Sequence, residues 1–416
     1  MAFLNDPIAF IAEWLRGLLT GWGLSNGLVA LILYLIGIVV LVTFAMLLDI
    51  GLVWIERKVV ARFQDRLGPN RLGPFGLAQP IADIIKLIIK EDTTPVGADK
   101  VVYNIAPVLA ATSVILLWAI LPLSSRIFGV DLNVAVLFLV AAGALGTLSI
   151  IMGGWASNNK YALLGAFRMV ANMVSYEIPM VVTLLIPTLL ADTMSVQGIT
   201  QAQSRMWFVV LSPLACVIFF ISAIAELGRT PFDLTEAESE LTAGFNVEYS
   251  GMKFGWFYAS ELLHAFTFGG FIAVLFFGGY GGFFGLEKIS FLAWLNNPLV
   301  QAMVFIAKAM IGYWAFMWIR YSVPRIRIDH MLAFNWKFLV PLSLVVLMDA
   351  AILDKLLAGL PSWSYVLGMF LSNVVIAIGT IEILRSYARK QRKASELHSL
   401  TLSTSPAGRG GEEREG

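Results

Sequence analysis

Runs of about 20 consecutive apolar residues recur along the whole of this chain, and a run that long is what an α-helix needs to cross a hydrocarbon layer about 30 Å thick. They fall near 28–50, 105–123, 132–154, 170–191, 207–226, 254–280, 299–319, 336–356 and 363–384. With 58% hydrophobic and only 14% charged residues, and a mean hydropathy of +0.79, a chain of 416 residues lacks the charge to cover a water-facing surface. The expected fold is an all-α, polytopic membrane helix bundle of about nine transmembrane helices.

The basic residues orient it. Assigning 51–104, 155–169, 227–253, 320–337 and 385–416 to one side leaves only Arg16, Arg126, Arg205, Lys288 and Lys355 on the other, with Lys308 inside a span. The positive-inside rule makes the richer side cytoplasmic, so the N-terminus lies outside and the C-terminus inside an energy-transducing membrane, here a bacterial plasma membrane. The domain reading follows: 1–27 an N-terminal surface segment without signal-peptide features, 28–362 a bundle of eight helices with long inner loops (51–104, 155–169, 227–253, 320–337), 363–387 an additional ninth helix, and 388–416 a disordered polar tail. One cysteine, Cys216, and three histidines exclude a chain-borne iron-sulfur cluster, disulfide framework or Cys-rich zinc site. GGYGGFFG at 278–285 lacks the following Lys-Ser/Thr of a phosphate-binding loop, and a net charge of +1 points to no nucleic acid.

The inner loops carry the chemistry. In the first, LGPNRLGPFG alternates Gly-Pro and Pro-Asn turn signals, which make an ordered turn. Pro80 then opens a helical period with Ile81, Ile84, Ile85, Ile88 and Ile89 on one face and Asp83, Lys86 and Lys90 on the other, an interfacial amphipathic helix that is either a surface anchor or part of a binding site. The third loop, AELGRTPFDLTEAESELTAGFNVEY from Ala225, sets Glu226, Asp233, Glu236, Glu238, Glu240 and Glu248 against Arg229. Asp233 or Thr235 with Glu236 or Glu238 fits a capping box, and Gly244 ends the short helix. The remaining acids form either a solvated acidic face or a coupled proton-holding group.

Ionisable residues inside spans weigh toward the second reading. Each costs roughly 2.5–3.5 kcal/mol at the bilayer centre on insertion scales and must face the bundle interior. Glu177, two residues before Pro179, together with Glu226, Glu261 and Lys308, is expected to form a polar axis. His264 reads as a hydrogen-bonded interior residue, and Asp49, Asp349, Asp354 and Glu382 as groups reaching toward the interface.

Four segments carry a resemblance: ERKVVARFQDRLGPNRLGPFGLAQPIADIIKLIIKE from Glu56, GWASNNKYALLGAFRMVANMVSYE from Gly154, the acidic segment from Ala225, and KAMIGYWAFMWIRYSVPRIRIDH from Lys308. In their order and combined length they resemble the membrane-embedded H subunit (subunit 1 in mitochondria) of proton-pumping NADH:quinone oxidoreductase, respiratory complex I. The resemblance implies a subunit without a redox centre or bound cofactor, with quinone as substrate and with NADH, FMN and iron-sulfur clusters on partner subunits. Its implied partners are the peripheral-arm subunits bearing the terminal cluster, other membrane subunits including antiporter-like ones, and the lipid bilayer. It also implies a proton path through Glu177, Glu226, Glu236, Glu238 and Glu261, and a quinone chamber and entrance near Arg62, Asp83, Arg229 and Phe245. The chain departs from the family's pattern at Gly228, where Asn is usual, in a third helix without an acid, and in its ninth helix and tail. The membrane subunit of an energy-converting hydrogenase is the alternative, disfavoured by the Gly-Pro loop and PIADIIKLIIKE. A secondary transporter is disfavoured because no repeat relates the two halves.

Overall fold

The computed structural model describes residues 7–233, 244–281, 294–357 and 361–404. Its helices are α1 (Pro7–Gly21), α2 (Asn26–Phe63), α3 (Gln79–Ile89), α4 (Lys100–Ile120), α5 (Ala135–Ala156), α6 (Lys160–Ala191), α7 (Val196–Ala202), α8 (Phe208–Leu211), α9 (Pro213–Glu226), α10 (Gly251–Phe276), α11 (Pro298–Ser322), α12 (Ile328–Phe334), α13 (Val340–Leu357) and α14 (Ser362–Thr404). The described residues hold no strand, and eight helical stretches are long and apolar enough to cross a membrane. The protein is an all-α polytopic membrane bundle.

Helix α10 is its central post. From Leu262 to Phe276 nearly every side chain is buried, as expected of a helix apolar on all sides that packs against neighbours all round. It lies against α4 and α11 and also touches α2, α3 and α6. Its approach to α11 is as close as main chains allow, because a Cβ on Gly269 would stand 2.6 Å from the Ala309 carbonyl oxygen, and one on Gly312 3.0 Å from Gly269 Cα. Small residues at such crossings let membrane helices gain dispersion contacts where no hydrophobic drive exists. On the α4 side, the buried Trp118 indole donates to Thr267 Oγ1 at 2.8 Å.

Several boundaries differ from the sequence reading. The first inner loop begins after Phe63, not at 51, since α2 continues through Glu56 and Arg62; its charged turns are good helix formers and Glu56 is neutralised internally. The second shrinks to the few residues between α5 and α6, because Asn159 Oδ1 accepts the Tyr161 N–H at 2.9 Å and starts α6 at Lys160. Part of 320–337 is helix α12, which runs into α13 through a π-turn at Asn335–Leu339. The span at 207–226 is broken at Ser212, where Pro213 starts a new helix, α9, of 14 residues. Helix α14 continues to Thr404, beyond the point where a disordered tail was expected, through residues such as Lys390, Arg392 and Glu396 that favour helix.

Proline leaves a carbonyl without its helical donor, and the fold supplies one. Pro179 has no N–H for the Ser175 carbonyl, and the buried Asn335 Nδ2 donates to that oxygen at 2.6 Å. Nearer the N-terminus, the Gly-Pro turn is tied down by the Trp54 indole, which donates to the Phe75 carbonyl at 3.1 Å. Gly76 there has φ 77°, and a Cβ would collide with the Pro69 carbonyl. The turn leads into α3, whose Ile81, Ile85, Ile88 and Ile89 are exposed while Asp83 turns inward to Arg57 of α2 at 2.5 Å.

Two glycines give a test of this packing. Gly269→Ala is expected to lower stability by about 1–3 kcal/mol through overpacking against α11. Gly379→Ala on α14, where a Cβ meets nothing within 4 Å, is expected to leave the melting temperature of the purified protein unchanged.

Candidate functional site

The site begins with a seam on α2. Ala45, Asp49, Leu52 and Glu56 are buried at alternating four- and three-residue spacing, so they share the face turned to the bundle. Asp49 is 6% exposed and its Oδ1 has no hydrogen-bond partner among the described residues. That places it in the interior rather than at the interface, because α2 extends well beyond the span read from hydropathy.

Glu56 is the hub. Its Oε1 accepts from Arg320 Nη1 at 2.8 Å and from the Tyr321 hydroxyl at 2.8 Å, and its Oε2 accepts from the Tyr313 hydroxyl at 3.2 Å. Arg229 Nη1 stands 3.8 Å from the same carboxylate, and Arg229 Nε stands 3.5 Å from Glu261 Oε1. Two carboxylates and two guanidiniums thus offset one another in the interior of the bundle, which a buried charge requires. Burial works against the charge on Arg229, and the Glu56 and Glu261 carboxylates together more than offset it, holding the guanidinium protonated. Arg229 is delivered by the turn after α9, which contains a cis Thr230–Pro231 bond and is anchored by Arg325 on Asp233 at 2.9 Å.

Beside the hub lies a cavity of about 70 Å³, walled by Glu226, Glu261, His264, Phe245, Ser113 and Ser149 among others. A water needs roughly 10–15 Å³ of such volume and two to four polar partners, so this cavity accommodates several. Glu226 is 4% exposed with an unpartnered Oε2, and His264 Nε2 likewise lacks a partner, among the described residues. The expected hydrogen bond of His264 is therefore replaced by a place in the cavity wall. Phe245 meets Phe257 edge-on at 5.1 Å and closes the loop-bearing end. Half-buried Glu177 on α6 is within Coulombic range of Glu226, and Asn172 Nδ2 donates to the Ala225 carbonyl at 3.4 Å, joining α6 to the end of α9.

The sequence-predicted residues divide into groups. Glu226, Glu261, Arg229 and Phe245 come together, with Glu177 adjoining. Lys308 does not join them: its Nζ donates to the carbonyls of Phe277 and Gly281 at 2.8 Å each and stands over the Trp207 ring, capping the far end of α10. That is about 24 Å along α10 from Glu261 at the helical rise per residue. Asp83 pairs with Arg57 beneath α3, and Arg62 is exposed at the end of α2. Asp349 accepts from Ser372 and Asp354 from Tyr365, both between α13 and α14, while Glu382 faces Arg385 on an exposed surface. Glu236, Glu238 and Glu240, and the cap expected at Thr235, lie outside the described residues. Among the described residues no three His, Cys, Asp or Glu side chains converge as metal ligands.

Glu56, Tyr313, Arg320 and Tyr321 were missed. Their signal was the shared seam spacing of Asp49 and Glu56 on α2, which the reading of residues after 50 as a loop concealed.

The family model described as NADH dehydrogenase matches residues 35–351. The H subunit of NADH-quinone oxidoreductase from Dehalococcoides mccartyi (strain CBDB1) is 44% identical over 318 residues, covering 76% of this chain and 86% of that protein. The protein of the same name from Geobacillus kaustophilus (strain HTA426) is 41% identical over 344 residues, 82% of this chain and 97% of the relative. One of the numbered H subunits from Geobacter metallireducens (strain ATCC 53774 / DSM 7210 / GS-15) is 44% identical over 303 residues, 71% of this chain and 88% of the relative. On these matches the chain belongs to the NADH dehydrogenase family and is similar over most of its length to the H subunit of NADH-quinone oxidoreductase.

Proposed function

We propose that this chain forms, with a peripheral arm, the chamber and access path for quinone, and that it links quinone reduction to a carboxylate proton path inside the membrane. The observation that carries the reading is the convergence of Glu226, Glu261 and His264 on one water-sized cavity beside the Arg229–Glu56–Arg320 hub. Ligand pockets run to roughly 300–1,000 Å³, so a cavity of about 70 Å³ takes water and not a quinone head. The head group therefore binds against the loop-bearing end, where partner subunits complete the chamber. Helix α3 and the Gly-Pro turn, with isoleucines outward and Asp83 inward, frame the lateral opening.

Negative charge formed on the quinone pulls on Arg229 and weakens its hold on Glu261, and the proton affinity of the cavity carboxylates rises in consequence. Protons then move between Glu226, Glu261 and Glu177, with Glu236 and Glu238 as the supply from the loop. Electrons come from partner subunits, which carry NADH, FMN and the iron-sulfur clusters. The chain lies in the bacterial plasma membrane with its C-terminus cytoplasmic.

Glu226→Gln and Glu261→Gln are each expected to lower NADH-driven quinone reduction and proton uptake in sealed vesicles about tenfold or more, the scale of losing a positioned acid-base group; full coupled activity in both would falsify the path. Glu56→Gln keeps the shape but strips the charge that compensates two guanidiniums. Breaking such a buried pair costs about 3–5 kcal/mol, so the variant is expected to yield less assembled complex, seen by native gel and a lowered melting temperature.

A further inference from the structure

The family match ends at residue 351, yet a side chain from beyond it reaches the broken helix that carries Glu226. The break lies between α8 and α9, where Pro213 brings no N–H. Gln203 holds the start of α8, its Oε1 accepting from Phe208 N at 3.3 Å and from Gly278 N at 3.0 Å. Asn373 of α14 holds the end. Its Nδ2 donates to the Leu211 carbonyl at 3.4 Å and the Met369 carbonyl at 3.2 Å, and its Oδ1 accepts from the Ser212 hydroxyl at 3.3 Å. Asn373 is 1% exposed and Ser212 fully buried. An amide in so apolar a place is costly unless its groups are used, and these are used on the main chain and hydroxyl of the break.

We propose that α14 is a positioning element of the proton path, in which Asn373 closes the break between α8 and α9 and so aims the carboxyl of Glu226. This rests on the reading of Glu226 as a proton-path residue. At the helical rise per residue, Glu226 stands about 20 Å from the break, and a tilt of roughly 5° there swings its end by about 2 Å. A misplacement of about 1 Å is already enough to slow a positioned reaction by orders of magnitude. Glu226 Oε2 has no hydrogen bond of its own among the described residues, so the direction of α9 sets its aim.

The test compares Asn373→Leu, close in size and without hydrogen bonds, with Glu226→Gln in the assembled complex in sealed vesicles. Quinone reduction and protons moved per NADH are normalised to assembled complex, and NADH oxidation by ferricyanide reports the peripheral arm. Asn373→Leu is expected to keep the ferricyanide rate and lower quinone-linked proton transfer at least about threefold. Asn373→Ser, still able to bond, is expected to recover part of that loss. Normal coupling in Asn373→Leu beside a loss in Glu226→Gln overturns the positioning role, and normal coupling in Glu226→Gln overturns the proton-path reading instead. Less assembled complex with unchanged coupling per complex also overturns the positioning role, since that is what a purely structural helix produces. If Asn373→Leu does not assemble, Ser212→Ala removes only the hydroxyl donor to Asn373, and the same ratios decide: lowered coupling supports the role and normal coupling overturns it.

Discussion

The carboxylate of Glu56 is the contact on which the rest of the structure depends. It binds α2 to α11 through Arg320, Tyr313 and Tyr321, and through Arg229 it reaches the turn after α9 and Glu261 on α10. A lone anion at that depth would be expelled or protonated, so the four elements must assemble around it together. The cavity follows from this assembly: with Arg229 drawn toward Glu56 and Glu261, the end of α9 lies against α10, and Glu226 and Glu261 are left facing one cavity.

The second device of the fold is asparagine amides placed beside helix-interrupting prolines. Asn335 serves the carbonyl freed by Pro179 on α6, and Asn373 serves the end of α8 before Pro213. Both donors come from the C-terminal part of the chain; one acts on α6, which carries Glu177, and the other on the end of α8, next to the start of α9, which carries Glu226. Bent and broken helices survive in lipid only where protein supplies the missing bonds.

Much of this was legible in the sequence, for definable reasons. Hydropathy located the spans because crossing length and apolarity are local properties, and the charges of Glu226 and Glu261 stood out because ionisable groups are expensive there. Pro179 stood out in the sequence beside Glu177, although only the fold shows that Asn335 meets the carbonyl it frees. What failed were inferences that treat charge as a mark of loop. Glu56, Arg57 and Arg62 are helical, Asp49 is interior, and Lys308 caps a distant helix end rather than joining the acids; Glu56 and Arg57 are met by partners far along the chain, and Lys308 by main-chain carbonyls, none of which sequence spacing reveals. The acidic loop at 236–240 remains a reading from sequence.

The contact of Gly269 with Gly312 bears on how energy travels. Two rods whose backbones touch have little clearance in which to slide, so α10 and α11 are expected to move as one rigid unit at this crossing. On the proposed function, a change of charge at one end of this pair is then felt at the other chiefly as an altered electric field across a stiff partition.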